Sequence, residues 1–106
     1  MRVLFDQGVP VTLRHRLPGH HVAAAFENGW ATLTNGELLS RAESAGFDVL
    51  VTTDQSLRFQ QNLAARRIAV IVIGTTSWRR IQVNTALVAR AVDSAAPGTC
   101  IELPMP

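Results

Sequence analysis

The sequence predicts a single α/β domain whose β-sheet is mainly parallel. Short apolar runs rich in β-branched residues alternate along the chain with longer segments of helical spacing, which is the pattern of repeated β-α-β units. Because crossovers between parallel strands are right-handed, such units build a three-layer α/β/α sandwich. The length of 106 residues fits one domain spanning residues 1–106, and 47% hydrophobic with 17% charged residues is typical of a globular chain.

Five segments have the composition of β-strands. The third and fourth are continuous apolar runs, D-V-L-V-T-T and R-I-A-V-I-V-I, as expected for strands buried on both faces of a parallel sheet. The second segment is the weakest of the five. The predicted strands span residues 2–5, 21–25, 48–53, 67–73 and 99–103.

Four segments between these strands carry helix signals. Pro10 suits the first turn of a helix, because the N–H that it lacks would have no intrahelical partner there. Thr34 or Asn35 can cap the second helix, and Gly46 closes it. The predicted helices span residues 11–17, 36–45, 55–65 and 78–95.

The composition bears on the cellular compartment of the protein and on the ligands it can bind. Cys100 is the single cysteine, so no intramolecular disulfide can form, and no secretory leader or apolar run of membrane-spanning length is visible. These features predict a cytoplasmic protein. The net charge is +2 and all ten basic residues are arginine, whose planar fork suits phosphate groups. A coding bias of the genome explains the arginine content equally well.

Three acids are placed to meet at one edge of the predicted sheet. Asp6 directly follows the first strand, Asp54 directly follows the third, and Glu37 lies in the first turn of the second helix. Converging carboxylates repel one another unless a cation neutralises them, and oxygen ligands without a Cys or His set favour Mg²⁺ or Mn²⁺. The pattern predicts a catalytic metal site. Each acid also has a structural interpretation, as a helix cap or as a partner of the helix dipole.

Polar side chains follow Asp54 on the third predicted helix. Ser56, Arg58 and Gln61 are candidate substrate-binding residues: Ser56 is placed to bind a water held by the metal, and Arg58 and Gln61 to contact a phosphate or a base. A solvated helix face accounts for the same residues at least as well.

Three segments carry a resemblance to a known family. Residues 3–10, V-L-F-D-Q-G-V-P, resemble the opening of small bacterial PIN-like proteins, where a strand ends in Asp before a turn and a Pro. Residues 35–39 resemble the start of the second helix in that family, and residues 48–54, D-V-L-V-T-T-D, resemble its third strand. The chain departs from the family pattern at Gln7-Gly8 and at Ser56, where members often carry further acidic or amide side chains.

The resemblance implies a PIN-like fold and a magnesium-dependent ribonuclease, related to the VapC-type toxins of toxin–antitoxin pairs. Asp6, Glu37 and Asp54 would then be metal-binding carboxylates, RNA the substrate, and an antitoxin protein the partner. The alternative is a PIN-like module with little or no catalytic activity that binds RNA or a protein. A flavodoxin-like receiver domain is less well supported, because the chain has no lysine. Trp78 and the apolar last helix are compatible with a homodimer.

Overall fold

Five parallel strands form one sheet in the order β2-β1-β3-β4-β5 in the computed structural model. The structure describes residues 1–106, apart from the side chain of Arg58. The strands are β1 Arg2–Phe5, β2 His21–Ala24, β3 Val49–Thr52, β4 Ala69–Ile73 and β5 Cys100–Leu103. The α/β class and the parallel sheet predicted from the sequence are confirmed.

Helical segments connect the strands and differ from the prediction in several places. The first predicted helix is a 3-10 helix, Ala25 begins a further 3-10 helix instead of ending the second strand, and the last two predicted helices are interrupted. The α-helices are α1 Asn35–Ser44, α2 Leu57–Gln60, α3 Trp78–Gln82 and α4 Thr85–Asp93, and shorter 3-10 helices span Val11–Arg16, Ala25–Asn28 and Leu63–Ala65. The predicted helix over 55–65 is interrupted after α2, where Gln61 has an extended backbone, and a 3-10 helix follows at Leu63–Ala65. The predicted helix over 78–95 is divided at Asn84, whose side-chain amide donates to the Arg80 carbonyl over 2.9 Å and so competes with helical backbone hydrogen bonding. No helix in the described part of the chain is long and apolar enough to cross a membrane.

The centre of the sheet is buried on both of its faces. Successive side chains of a strand point to opposite faces, and every residue of β3 and β4 is buried. One hydrophobic cluster combines strand residues with the 3-10 helix Val11–Arg16 and with α4, and its members include Val3, Phe5, Val51, Ile71, Leu13, Val88 and Val92. A second cluster combines the alternate strand residues with α1 and α2, and its members include Leu4, Leu50, Val70, Leu38, Leu39 and Leu57.

The strand order determines where a ligand can bind. The winding of the chain reverses between β1 and β3, which are adjacent in the sheet, and doubly wound sheets bind ligands at the carboxyl ends of such strands. We call the edge of the sheet at which the strands end the carboxyl edge. The Asp6 N–H donates to the Val51 carbonyl over 2.9 Å, which continues the β1–β3 pairing beyond β1. The residues that follow β1 and β3 are therefore neighbours at the carboxyl edge.

Candidate active site

Asp6 is half-buried and lies one residue beyond β1. One carboxylate oxygen, Oδ2, accepts a hydrogen bond from the Thr52 hydroxyl over 2.8 Å. The other, Oδ1, accepts from the Gln7 N–H over 2.8 Å. Both oxygens are thus oriented by neutral donors from adjacent segments.

Thr52 connects Asp6 to the second acid of this edge. It is the last residue of β3, its exposed fraction is 0%, and no other polar residue among those described is buried to this degree. Besides donating to Asp6, its hydroxyl oxygen accepts a hydrogen bond from the Asp54 N–H over 3.1 Å. A buried polar group with both roles satisfied fixes the loop that follows β3 relative to the end of β1.

Asp54 belongs to a closed ring of side-chain hydrogen bonds. Its Oδ1 accepts from the Ser56 hydroxyl over 2.7 Å, and its Oδ2 accepts from the Asn35 amide over 2.8 Å. The same Asn35 amide nitrogen donates to the Gln60 Oε1 over 2.8 Å, and the Gln60 amide donates to the Ser56 hydroxyl over 3.0 Å. We call these four side chains the Asp54 ring. It joins the loop after β3 to the first residue of α1 and the last of α2.

The Asp54 ring also lowers the pKa of the Asp54 carboxyl. Hydrogen bonds from the Asn35 amide, from the Ser56 hydroxyl and from the Ser56 N–H hold the pKa of the Asp54 carboxyl below its usual range. Because these donors are neutral, they stabilise the carboxylate without cancelling its charge. Asp54 is therefore ionised at neutral pH.

Glu37 has a different set of partners. Its Oε1 accepts from the Thr34 hydroxyl over 2.8 Å and from the Thr34 N–H over 3.2 Å, and the Glu37 N–H donates back to the Thr34 hydroxyl. This is a capping box, with Thr34 as the N-cap of α1. The two bonds from Thr34, the hydroxyl first, hold the pKa of Glu37 below its usual range. The residue of α1 that reaches Asp54 is Asn35.

The turn after Asp6 is packed closely against the loop after β3. A Cβ atom added at Gly8 would collide with the Thr53 hydroxyl oxygen, so a side chain at Gly8 would require the Thr53 side chain to rotate or the two loops to move apart. Gly8 therefore allows the loops that carry Asp6 and Asp54 to approach each other.

The three predicted substrate contacts have separate outcomes. Ser56 is exposed and belongs to the Asp54 ring. Gln61 is half-buried beside the start of α1, where its amide would lie 3.3 Å from a Cβ at Gly36. The side chain of Arg58 lies outside the described residues. The sequence prediction missed Asn35 and Gln60 as members of the site.

The donor chemistry of this edge suits a hydrated divalent ion. Among the described side chains, no group of three or more His, Cys, Asp and Glu residues is arranged to hold a metal. Mg²⁺, however, usually keeps several waters and is bound by one or two carboxylates together with substrate phosphates. Asp6 and Asp54, with the hydroxyl of Thr52 between them, supply hard oxygen atoms of this kind.

Comparison with protein-family models, with curated proteins and with solved structures gives no match for this chain. We therefore infer its function from the side chains at the carboxyl edge.

Proposed function

We propose that this protein is a PIN-like endoribonuclease of three-layer α/β/α architecture that depends on Mg²⁺ or Mn²⁺. The observation that carries the proposal is a pair of carboxylates, Asp6 and Asp54, joined through the buried Thr52 hydroxyl at the point where the winding of the sheet reverses. Their described partners are all neutral. The negative charge at this edge is thus available to a cation.

Asp6 and Asp54 would hold the ion, and the side chains around them would keep both carboxylates in place. A bound divalent ion would supply a more acidic water and would polarise a phosphoryl oxygen, and both effects promote hydrolysis of an RNA phosphodiester. Thr52 orients Asp6, and the Asp54 ring orients Asp54. Such support matters because a metal site whose ligands are held loosely binds its ion less tightly and is less active.

Glu37, predicted from the sequence as a third carboxylate, is held on Thr34 through Oε1. It would have to leave the capping box, or use its second oxygen, in order to bind an ion. We therefore assign the ion to Asp6 and Asp54 and retain Glu37 as a prediction that a single substitution tests.

The second candidate is a PIN-like module without catalytic activity that binds RNA or a protein partner. It is favoured by the hydrogen bonds that all four carboxylate oxygens of Asp6 and Asp54 already accept from the protein. An ion would share these oxygens with their donors. Such a module would bind its partner equally well with and without a chelator.

The proposal also includes a cellular role for the protein. A cytoplasmic ribonuclease related to the VapC type would act as a toxin and would be held in check by an antitoxin protein. Induction in bacteria should then arrest growth, and the Asp6→Asn variant should relieve the arrest. A homodimer is compatible with this setting, and sedimentation of the purified chain would test it.

The decisive experiment compares Asp6→Asn and Asp54→Asn with Asp48→Asn, a control at the opposite end of β3. The Asp48 carboxylate accepts from the Arg2 N–H over 2.8 Å, and the carbonyl oxygen of Asn can do the same. We expect wild type and Asp48→Asn to bind Mn²⁺ in calorimetric titrations and to cleave single-stranded RNA with Mn²⁺ or Mg²⁺. Both site variants should lose binding and cleavage, with a rate loss on the order of 100-fold or more.

Two results would overturn the assignment. If the folded wild type binds no Mn²⁺ and leaves RNA intact, the hydrolase proposal fails, and RNA binding that is indifferent to EDTA then supports the second candidate. If Asp48→Asn loses as much activity as Asp54→Asn, the carboxyl edge is not the site.

A further inference from the structure

An open pocket lies at the carboxyl edge beside the candidate active site. Its volume is about 410 Å³, within the range of roughly 300–1,000 Å³ that is usual for small-molecule pockets. Because β4 adjoins β3 in the sheet, the pocket is next to the loop that carries Asp54. Its walls come from the carboxyl ends of β4 and β5, from the residues after β5 and from the loop after β3, and they include Gln55, Val72, Glu102, Leu103, Pro104 and Met105.

The polar groups of this pocket are few. Val72 and Met105 are buried, and Leu103 is partly buried against the core. Glu102, the acid of the pocket, already has a partner within the protein. Apolar walls with a small number of fixed polar groups are the usual form of a ligand site. The side chain that remains to orient a ligand is that of Gln55.

The Gln55 side chain is held in one orientation. Its amide nitrogen, Nε2, donates to the Ile73 carbonyl over 2.9 Å and to the Thr53 carbonyl over 3.2 Å. An amide nitrogen has two N–H groups, so these two bonds use its donors. Among the described residues, none donates to the amide oxygen, Oε1. Gln55 therefore contributes a hydrogen-bond acceptor whose position is fixed and whose partner has to come from outside the protein.

The pocket is close enough to Asp54 to receive part of the same ligand. Gln55 directly follows Asp54, and the Cα atoms of consecutive residues are about 3.8 Å apart. Thr52 pairs with Val72 across β3 and β4, so the end of β4 lies one strand spacing, about 4.8 Å, from the end of β3. The phosphate and the base of one nucleotide span a comparable length.

We infer that this pocket receives an unpaired base of the RNA and that the Gln55 Oε1 accepts a hydrogen bond from an N–H group of that base. The inference rests on the proposed function, because it takes the ligand at the carboxyl edge to be RNA. Proteins recognise single-stranded RNA largely by hydrogen bonds to the Watson–Crick edges of its bases, and each of the four bases has an N–H group there. In a duplex that group is paired with the opposite strand.

The chemistry of the pocket favours a base over a phosphate group. A phosphate oxygen is an acceptor, and the Gln55 Oε1 is an acceptor as well, so the two would repel each other. A base offers the N–H that Oε1 lacks, and its flat faces suit contact with apolar side chains such as Leu103 and Pro104. The phosphates of the strand are then left to the metal ion at Asp6 and Asp54.

The test measures recognition of the base without cleavage. Ca²⁺ replaces Mg²⁺, because it also binds carboxylate oxygens, and electrophoresis checks that the RNA stays intact. Fluorescence anisotropy gives the affinity for a labelled uridine hexamer and for a hexamer of 3-methyluridine, in which a methyl group replaces the N–H of each base. In Gln55→Lys the ammonium can still donate to the Thr53 and Ile73 carbonyls but cannot accept. Gln82→Lys is the matched control, because Gln82 is also exposed and lies at the end of α3.

We expect wild type to bind the uridine hexamer more tightly than the methylated one by roughly 2- to 13-fold, the range for one hydrogen bond between neutral groups. Gln82→Lys should keep this preference, and Gln55→Lys should lose it. A second measurement needs wild type alone and decides the question even if Gln55→Lys does not fold. The NMR signals of the Gln55 side-chain amide should shift when the uridine hexamer is added, and those of Gln82 should not.

The outcomes separate this inference from the proposed hydrolysis. If wild type binds both hexamers equally, or binds neither, or if Gln55→Lys keeps the preference, the base pocket is overturned even when RNA is cleaved with Mn²⁺. If UMP binds as tightly as the uridine hexamer, the pocket serves a free nucleotide and the assignment to RNA is wrong. If the preference depends on Gln55 while wild type cleaves nothing with Mn²⁺, the inference stands and the hydrolase proposal fails.

Discussion

Glu43, near the edge where the strands begin, and the two acids of the carboxyl edge are held in different ways. Glu43 lies 2.7 Å from the Arg66 guanidinium and accepts from the Arg67 N–H over 2.9 Å. Burial alone would raise the pKa of Glu43, but these two partners bring it below its usual range. At the carboxyl edge, the described partners of Asp6 and Asp54 are hydroxyl, amide and backbone N–H groups.

This difference separates charge that stabilises the fold from charge that is available to a ligand. An acid paired with an arginine forms a unit that is close to neutral, so the charge of the acid is not available to another cation. An acid held by neutral donors is fixed in position but keeps its full charge. A partly buried acid that keeps its charge without an ion-pair partner is a candidate for a functional role.

The largest expected effect is the loss of stability when Thr52, which connects Asp6 to Asp54 at the carboxyl edge, is substituted. Thr52→Val keeps the volume of the side chain but leaves an oxygen of Asp6 and the Asp54 N–H without their shared partner. We expect the free energy of unfolding to fall by about 2–3 kcal/mol, because one of the two bonds is to an ionised group. Urea denaturation measures this. Thr76→Val, a control at an exposed position, should change it by less than about 0.5 kcal/mol, and equal losses in both variants would contradict the role of Thr52.

The next prediction concerns the Asp54 ring and has a defined pH dependence. Asn35→Ala removes the donor to Asp54 and should lower the free energy of unfolding by about 1–2 kcal/mol at pH 7. The folded-state pKa of Asp54 is lowered, so its contribution is present above the unfolded value near 4 and is lost as the pH falls through the folded value. The difference in the free energy of unfolding between wild type and Asn35→Ala should therefore become smaller below about pH 4.

Urea denaturation at several pH values between neutral and strongly acidic measures this gap. The exposed Asn62, changed to Ala, is the control and should show no such dependence. A gap between wild type and Asn35→Ala that stays constant down to strongly acidic pH would mean that Asn35 acts through packing and not through the carboxylate.

The sequence predicts the strands and the two strand-end acids for a physical reason. A strand buried on both faces must be apolar throughout, so the runs around β3 and β4 are visible without any knowledge of their neighbours. In a parallel sheet all the strands end at the same edge, which places Asp6 and Asp54 together once the strands are recognised.

The Asp54 ring could not be predicted in this way. Asn35 and Gln60 are 25 residues apart, and only the packing of α1 and α2 brings their amides together. The division of the last helix had a local signal, since Asn at position 84 can bind the backbone and compete with helical hydrogen bonding. The pattern Thr34-x-x-Glu37 is likewise the signature of a capping box, and it indicates the partner that the Glu37 side chain has in the structure.

The smallest expected effect tests whether Glu37 only caps α1 or also binds the metal ion. Gln can replace Glu in a capping box, so Glu37→Gln should leave the urea midpoint unchanged, whereas Glu37→Ala removes the box and should lower it. If Glu37 serves α1 alone, the Mn²⁺ affinity of Glu37→Gln stays at the wild-type value. If Glu37 is a third ligand, the affinity falls by roughly 10-fold or more with the midpoint unchanged. We expect the first result, because the Thr34 hydroxyl and N–H already hold the carboxylate. Calorimetric titration with Mn²⁺, with Asp54→Asn as the reference for loss of a ligand, distinguishes the two.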